Sequence, residues 1–303
     1  MEKTWLFDRQ WTRDFTGIRQ KFIAEFLGSV QPQMVLGSAL DVGCGVGDFS
    51  KFLSDLGFCV IAVDGREENV MEAKRRYPEI TYRVANVEDL PVAEMGTFDL
   101  VLCLGLLYHL ENPFRAIRNL HSLTGRILFI ETMCVPNSET TMELLDEGHG
   151  EDQGLNYVAF YPSESSFIKM LYRAGFPFVY RFERLPAHEL YTKSLWRKRL
   201  RTMLVTSKVA LTAPNLALVM DQMRPVPGPS DPWTTPLSRL RDFSAASLFK
   251  LRVSAARIMK PWRRKVKGAR SGLSRHETVT NSVTPLKQRM SQIKETDENG
   301  SRS

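Results

Sequence analysis

The stretch Leu40-Asp41-Val42-Gly43-Cys44-Gly45-Val46-Gly47-Asp48-Phe49 decides the fold class. An apolar run over 36–42 ends in three alternating glycines, and a helical pattern follows over 49–56 with Gly57 as its stop. Glycines between a strand and its helix allow a tight turn and let a ligand approach the backbone. Working outward, 59–63 reads as a second strand, 67–76 as a helix ended by Pro78, and 81–85 as a third strand. The segment 98–107 is apolar almost throughout, as a strand buried on both faces should be. A helix over 114–122 and a strand over 126–131 complete a β-α-β-α-β-β-α-β alternation, the pattern of an α/β doubly wound parallel sheet.

Upstream, Trp11, Phe15, Ile18, Phe22 and Phe26 recur at helical spacing and predict a helix within 4–28. Downstream, 132–162 is long, polar and acidic around 146–152, which predicts a functional or mobile loop. Order resumes at Ser163, a good N-cap, with Gly175 as the stop of the helix that follows. Strands over 176–182 and 203–207 bring the expected total to seven. Between 225 and 236 stand five prolines, which exclude a regular element. Residues 237–260 pattern as a basic amphipathic helix, and the remainder has few large apolar groups. The expected organisation is a helical lid over 1–36, a core over 37–212, a proline-rich linker and basic helix over 213–262, and a disordered tail over 263–303.

The 303 residues carry 41 Lys+Arg against 34 Asp+Glu, and their 43% hydrophobic content excludes a wholly disordered chain. No apolar run approaches the ~18 residues of a membrane span. The start, MEKTWLFDRQW, lacks the cationic and apolar regions of a secretory signal, so a cytoplasmic protein is expected. Cysteines 44, 59, 103 and 134 form no CxxC pair, and the five histidines lack metal-ligand spacing, so no disulfide framework or metal site is expected. Residues 1–186 hold 18 basic and 26 acidic side chains, whereas 187–303 hold 23 and 8. An acidic core joined to a basic tail predicts a segment that meets an anionic surface, with peripheral membrane attachment as one form of it.

The glycine loop alone is weak evidence, and its spacing is not the dinucleotide G-x-G-x-x-G. Three features sharpen it. Asp64 ends the second strand, where a carboxylate can accept both ribose hydroxyls of a nucleoside. Asp41 precedes the glycines, where it would face a positively charged or amino-bearing ligand. Asn86-Val87-Glu88-Asp89-Leu90-Pro91 follows the third strand and could edge an adenine ring.

In order, LDVGCGVGDFS, VDGREENV, ANVEDLP and FDLVLCLGLLYHLENP resemble the motifs of class I S-adenosylmethionine-dependent methyltransferases, over roughly 37–182. The resemblance implies a seven-stranded Rossmann-like sheet whose last strand is antiparallel, with S-adenosylmethionine as cofactor. It implies that Asp41, Gly43 and Gly45 line the methionine end, with Cys44 and Gly47 in the same loop. It implies that Asp64, followed by Gly65, binds the ribose, that Asn86 and Val87 meet the adenine, and that Leu104 and Gly105 floor the pocket. Asn86 stands where many members have Asp.

A nearer resemblance lies in GLLYHLENP at 105–113, Ile130-Glu131-Thr132 and Phe160-Tyr161-Pro162-Ser163, which are similar to the branch containing the tRNA wobble-uridine carboxymethyltransferases. Those enzymes carry an added N-terminal region, and an arginine before the aromatic-Pro-Ser stretch that is taken to grip the carboxylate of carboxy-S-adenosylmethionine. Here about 36 residues precede the core, and 155–160 holds no cation, which favours plain methyl transfer.

For a hydroxyl acceptor the enzyme must align the reactants and remove a proton. His109, just past the fourth strand, is placed as a base or as a packed side chain, and Tyr108 as an orienting group or a core aromatic. His149 reads as a solvated loop residue, with a lid base or metal ligand as the sharper alternative. Asn156, Tyr157 and Tyr161 are placed on the acceptor side by the position of their loop, and Phe7, Trp11 and Phe15 as a lid or as ordinary packing. The basic clusters at 197–201 and 263–267, each beside a tryptophan, suit nucleic acid or anionic lipid. The leading expectation is methyl transfer to a hydroxyl or amine of a small molecule, glycan or lipid-linked intermediate. The alternatives are a tRNA-modifying methyl- or carboxymethyltransferase, and an idle S-adenosylmethionine-binding scaffold.

Overall fold

The computed structural model describes residues 5–136, 139–147, 154–192 and 198–220. The elements run α1 (Gln10–Val30), β1 (Ser38–Val42), α2 (Asp48–Asp55), β2 (Cys59–Asp64), α3 (Glu67–Arg76), β3 (Thr81–Val84), α4 (Val92–Met95) and β4 (Phe98–Leu104). They continue through α5 (Pro113–Leu123), β5 (Thr124–Cys134), β6 (Met142–Asp146), β7 (Val158–Pro162), α6 (Glu164–Ala174), β8 (Phe178–Phe182), β9 (Leu200–Ser207) and β10 (Leu216–Leu218). Eight strands form one sheet in the order β10-β8-β9-β5-β4-β1-β2-β3. From β3 to β5 every pairing is parallel, and β9 lies antiparallel between β5 and β8.

The parallel strands are buried on both faces, and their alternating side chains sort into two apolar layers. Leu100, Leu102 and Phe129 pack with Ile23, Phe26 and Leu27 of α1, Leu53 of α2 and Val70 of α3. Val101, Cys103, Leu128 and Ile130 pack on the other face with Ile117 and Leu120 of α5 and Phe167 and Leu171 of α6. Ser163 caps α6 by accepting from the Ser166 amide, and Gly175 ends it in the left-handed conformation.

Four differences from the sequence reading bear on function. The N-terminal helix is broken: a 3₁₀ turn at Leu6–Asp8 precedes α1, with extended backbone at Arg9. Arg76 holds that turn down with two hydrogen bonds to the Asp8 carboxylate, at 2.9 and 2.7 Å. The segment 132–162 is no featureless loop, because β6 and β7 pair antiparallel within it. The sheet gains an eighth strand, β10, inside the stretch assigned to a linker. Finally, two arginines of the basic cluster at 197–201, Arg199 and Arg201, turn to groups of the domain itself. The Arg199 guanidinium lies 4.1 Å from the Tyr161 ring centroid, and Arg201 turns inward to Glu131.

The prolines of 225–236, the amphipathic stretch 237–260, the tail 263–303, His149, Trp196 and Arg197 lie outside the described residues. Among the described residues no helix is long and apolar enough to cross a membrane.

Candidate active site

The carboxyl ends of β1, β2 and β4 open onto a cavity of about 300 Å³, where open α/β sheets bind ligands. Gly43, Gly45, Asp64, Gly65, Asn86, Val87, Leu104, Gly105, Tyr108, His109 and Asn156 are all on its wall. Asp41, Cys44, Gly47, Tyr157 and Tyr161 are not.

The glycine loop is shaped from within. Gly45 adopts φ +54°, and a Cβ there would come within 2.7 Å of the Phe7 ring. Only glycine combines that backbone with that approach. Phe7 therefore closes the loop from above, and Leu6, Trp11 and Phe15 join it on the wall. Gly47 caps α2, and a Cβ there would meet the Tyr82 hydroxyl at 2.6 Å, so its freedom serves packing. Cys44 is buried in the core, and burial pushes its thiol well above its ordinary pKa.

Asp64 is 9% exposed. Its Oδ2 accepts from the Gly45 amide at 2.9 Å, and its Oδ1 from the Arg66 amide at 2.9 Å and Asn69 Nδ2 at 3.2 Å. Burial raises its pKa against these donors. A carboxylate has about four acceptor sites, so one on Oδ2 remains for a ribose hydroxyl. Asp64→Ala should weaken S-adenosylmethionine binding by about 1.5–3 kcal/mol in calorimetry. Asp64→Asn, which keeps one acceptor for the α3 turn, should recover the fold but only part of the affinity. Wild-type affinity in both variants would remove Asp64 from the ribose contact.

Asp41 sits behind the loop, 3% exposed, with Oδ2 accepting from Ser50 Oγ at 2.6 Å. Burial, only partly offset by Ser50, pushes its carboxyl up to about 7. A folded pKa above the unfolded value means that the native state holds an extra proton between about pH 4 and pH 7. Stability is then greatest at the acid end of that window and declines as pH rises through it. Asp41→Asn should flatten this decline in melting curves of ligand-free protein recorded across the same range. An unchanged slope would mean that Asp41 titrates normally.

Asn86 caps the short turn at 87–89 by accepting from the Glu88 amide at 3.0 Å, which fixes Val87 at the cavity edge. Tyr108 and His109 follow β4 on a 3₁₀ turn, with ring centroids 4.0 Å apart. The Tyr108 hydroxyl accepts from Arg201 Nη2 at 3.1 Å, and its ring stacks on Tyr161 at 5.6 Å. Tyr161 is thus a second layer behind Tyr108 rather than part of the cavity wall. Tyr157 is 46% exposed with φ +54° and does not line the cavity. Asn156 reaches the wall and donates to Glu111 at 3.1 Å.

The sequence reading missed a charged core beneath the cavity. Glu131 is fully buried and bonded by Arg19 Nη1 at 3.0 Å and the Tyr191 hydroxyl at 2.6 Å, with Arg201 Nη1 3.3 Å away. Burial would raise the Glu131 carboxyl, but Arg201 and Arg19 hold it below the usual range. Arg19 and Arg201 both reach the cavity wall. Two cations share one buried carboxylate there, and among the described residues Arg19 Nε and Arg201 Nε are buried without hydrogen-bond partners. The wall therefore favours an anionic group. A zwitterionic amino-acid end and a nucleoside fit this donor set, the carboxylate toward Arg19 and the ribose toward Asp64. Among the described residues no cluster of His, Cys, Asp and Glu is arranged to hold a metal ion.

Residues 40–126, which run from within β1 to the start of β5 and include this loop, match the family model described as "Methyltransferase domain". Over these residues the chain carries an S-adenosylmethionine-dependent methyltransferase domain. The domain is similar to "Ubiquinone biosynthesis O-methyltransferase" of Xanthomonas campestris pv. campestris, 40% identical over 100 residues, 31% of this chain and 42% of that protein. The protein of the same name from Caulobacter vibrioides is 36% identical over 100 residues, 31% of this chain and 40% of that protein. The chain thus spans about two fifths of the length of these relatives. Among solved structures, the methyltransferase domain shares its fold with the N-terminal domain of EvdMO1 with SAH bound. That match has a TM-score of 0.51 and 23% identity, over 63% of this chain and 79% of that one.

Proposed function

We propose that the protein transfers the methyl group of S-adenosylmethionine to a hydroxyl of a small molecule, with His109 as general base. The observation that carries this reading is His109 on the wall of the same cavity as Asp64 and the glycine loop. Bound S-adenosylmethionine supplies an electrophilic methyl group on a sulfonium. The chain's own residues then do three things. Asp64, Asn86 and Val87 hold the nucleoside, and Arg19 holds the methionyl carboxylate. Phe7, Trp11 and Phe15 exclude water from above. His109 takes the proton as the acceptor oxygen becomes nucleophilic, a contribution of about 10²–10⁴ in rate for a well-placed base. The small-molecule O-methyltransferase name of the relatives supports this acceptor class.

One observation favours a second reading. No cation precedes the aromatic-Pro-Ser stretch, yet Arg201 brings a guanidinium to the same wall from β9 and grips Tyr108. A donor carrying an extra carboxylate would meet that pair, and transfer of a carboxymethyl group, to tRNA among other acceptors, becomes the alternative.

One experiment separates the readings. Purified protein and methyl-labelled S-adenosylmethionine are incubated with a lysate of the source cells, and tRNA, lipid, glycan and small-molecule fractions are separated. Label in small molecules supports the first reading. Label confined to tRNA overturns it, and product formed only from carboxy-S-adenosylmethionine selects the second. Cofactor binding with no labelled fraction would leave an idle scaffold.

A further inference from the structure

We infer that Glu147 is the positioning residue of the base, delivered to His109 by the β6–β7 hairpin. His109 Nδ1 lies in contact with Glu147 Oε1, and the two side chains are 14% and 11% exposed. Among the described residues His109 Nδ1 and Glu147 Oε2 are both buried and neither has another hydrogen-bond partner, so the two side chains are left to each other. A glutamate side chain buried to this degree for no purpose would cost desolvation that water at the surface would spare.

The hairpin is held where this contact requires it. The Glu147 amide donates to the Tyr157 carbonyl at 2.8 Å, which closes the hairpin beyond the last β6–β7 pair, Asp146 and Val158. Tyr161 of β7 stacks under Tyr108, the neighbour of His109. On the return side Leu155 covers Gly65, where a Cβ would come within 2.7 Å of its side chain. Asn156 ties to Glu111, two residues past His109. One hairpin therefore both covers the ribose end of the cavity and carries the acid that faces the base.

A carboxylate at Nδ1 selects the tautomer with the proton on Nδ1 and leaves Nε2 as the lone-pair nitrogen. Among the described residues Nε2 has no protein partner. The groups around the ring are Glu147 from the hairpin, Tyr108 beside it, Tyr161 beneath, and Arg199 and Arg201 behind those tyrosines. In the reaction the acceptor oxygen gains the methyl carbon as the carbon–sulfur bond of the donor breaks, and the hydroxyl proton passes to Nε2. Glu147 then balances the imidazolium charge. The geometry is that of an oriented base, in which the orienting carboxylate need not itself be protonated. The inference rests on His109 acting as base, as proposed above.

The test uses the full chain with ¹⁵N-labelled histidine, in wild type, Glu147→Gln, Glu147→Asp and His109→Asn, the last to assign the ring signals. In wild type the His109 ring should show a protonated Nδ1 and a bare Nε2, and Glu147→Gln should lose that preference. In the labelling assay with the accepting lysate fraction, Glu147→Gln should slow turnover by about 10–100-fold with KM for S-adenosylmethionine unchanged. Glu147→Asp should recover part of the rate. Identical ring signals in wild type and Glu147→Gln would overturn the inference, as would full turnover in Glu147→Gln when His109→Asn is slow. Full turnover in His109→Asn would instead overturn the base assignment on which it rests.

Discussion

Glu131→Ala is expected to lower the unfolding free energy by about 3–5 kcal/mol, because it strips the shared anion from two buried guanidiniums. Arg19, Arg201 and the Tyr191 hydroxyl all converge on this fully buried carboxylate. Without it two positive charges face each other in a poorly solvated layer. For a core of this size the melting temperature should fall on the order of 10 °C. Glu131→Gln keeps an acceptor for Arg19 and Tyr191 and should cost less. A loss under about 1 kcal/mol in denaturant titration would show that the arginines find water or another anion instead. Saturating S-adenosylmethionine should rescue Glu131→Ala in part, since its carboxylate brings an anion to Arg19.

His109→Ala should cut turnover by about 100-fold or more and leave cofactor affinity as it is. His109 and Asp64 line the same cavity, and in the proposed reaction His109 faces the acceptor while Asp64 faces the cofactor's ribose. Calorimetry with S-adenosylmethionine and the labelling assay on the same preparation separate the two effects. Wild-type turnover would return His109 to a packing role. Loss of cofactor binding would mean that the ring supports the pocket rather than the proton transfer.

Much of this core was legible because parallel strands announce themselves. The runs at 59–63 and 98–104 are apolar on both faces, and the glycine loop joins strand to helix with no intervening residues to misread. The β6–β7 hairpin was not legible for a physical reason. Four of the five residues of Met142–Asp146 are exposed, so the strand lacks the alternation that a half-buried strand needs. Three-residue β10 is an edge strand too short to leave a pattern. The charged core was hidden by distance, since Arg19 and Glu131 are 112 positions apart. Its trace in the sequence was an arginine within the apolar stripe of α1 and a glutamate continuing the apolar run Ile127–Ile130. The inward turn of Arg201 was not legible, because a run of basic residues suggests an anionic partner outside the domain, whereas its place in β9 set its direction.

The antiparallel insertion of β9 between β5 and β8 also governs how the chain can be made. Both neighbours are synthesised first, β5 by residue 134 and β8 by residue 182, and each waits with an open edge. Two unpaired, apolar edges in a nascent chain are sites of mispairing with other chains. A truncation before residue 200 would therefore yield an aggregation-prone polypeptide, whatever the state of the glycine loop. Emergence of Leu200–Ser207 from the ribosome is the event that joins the two halves of the sheet, and the same strand carries Arg201 to the wall of the cavity.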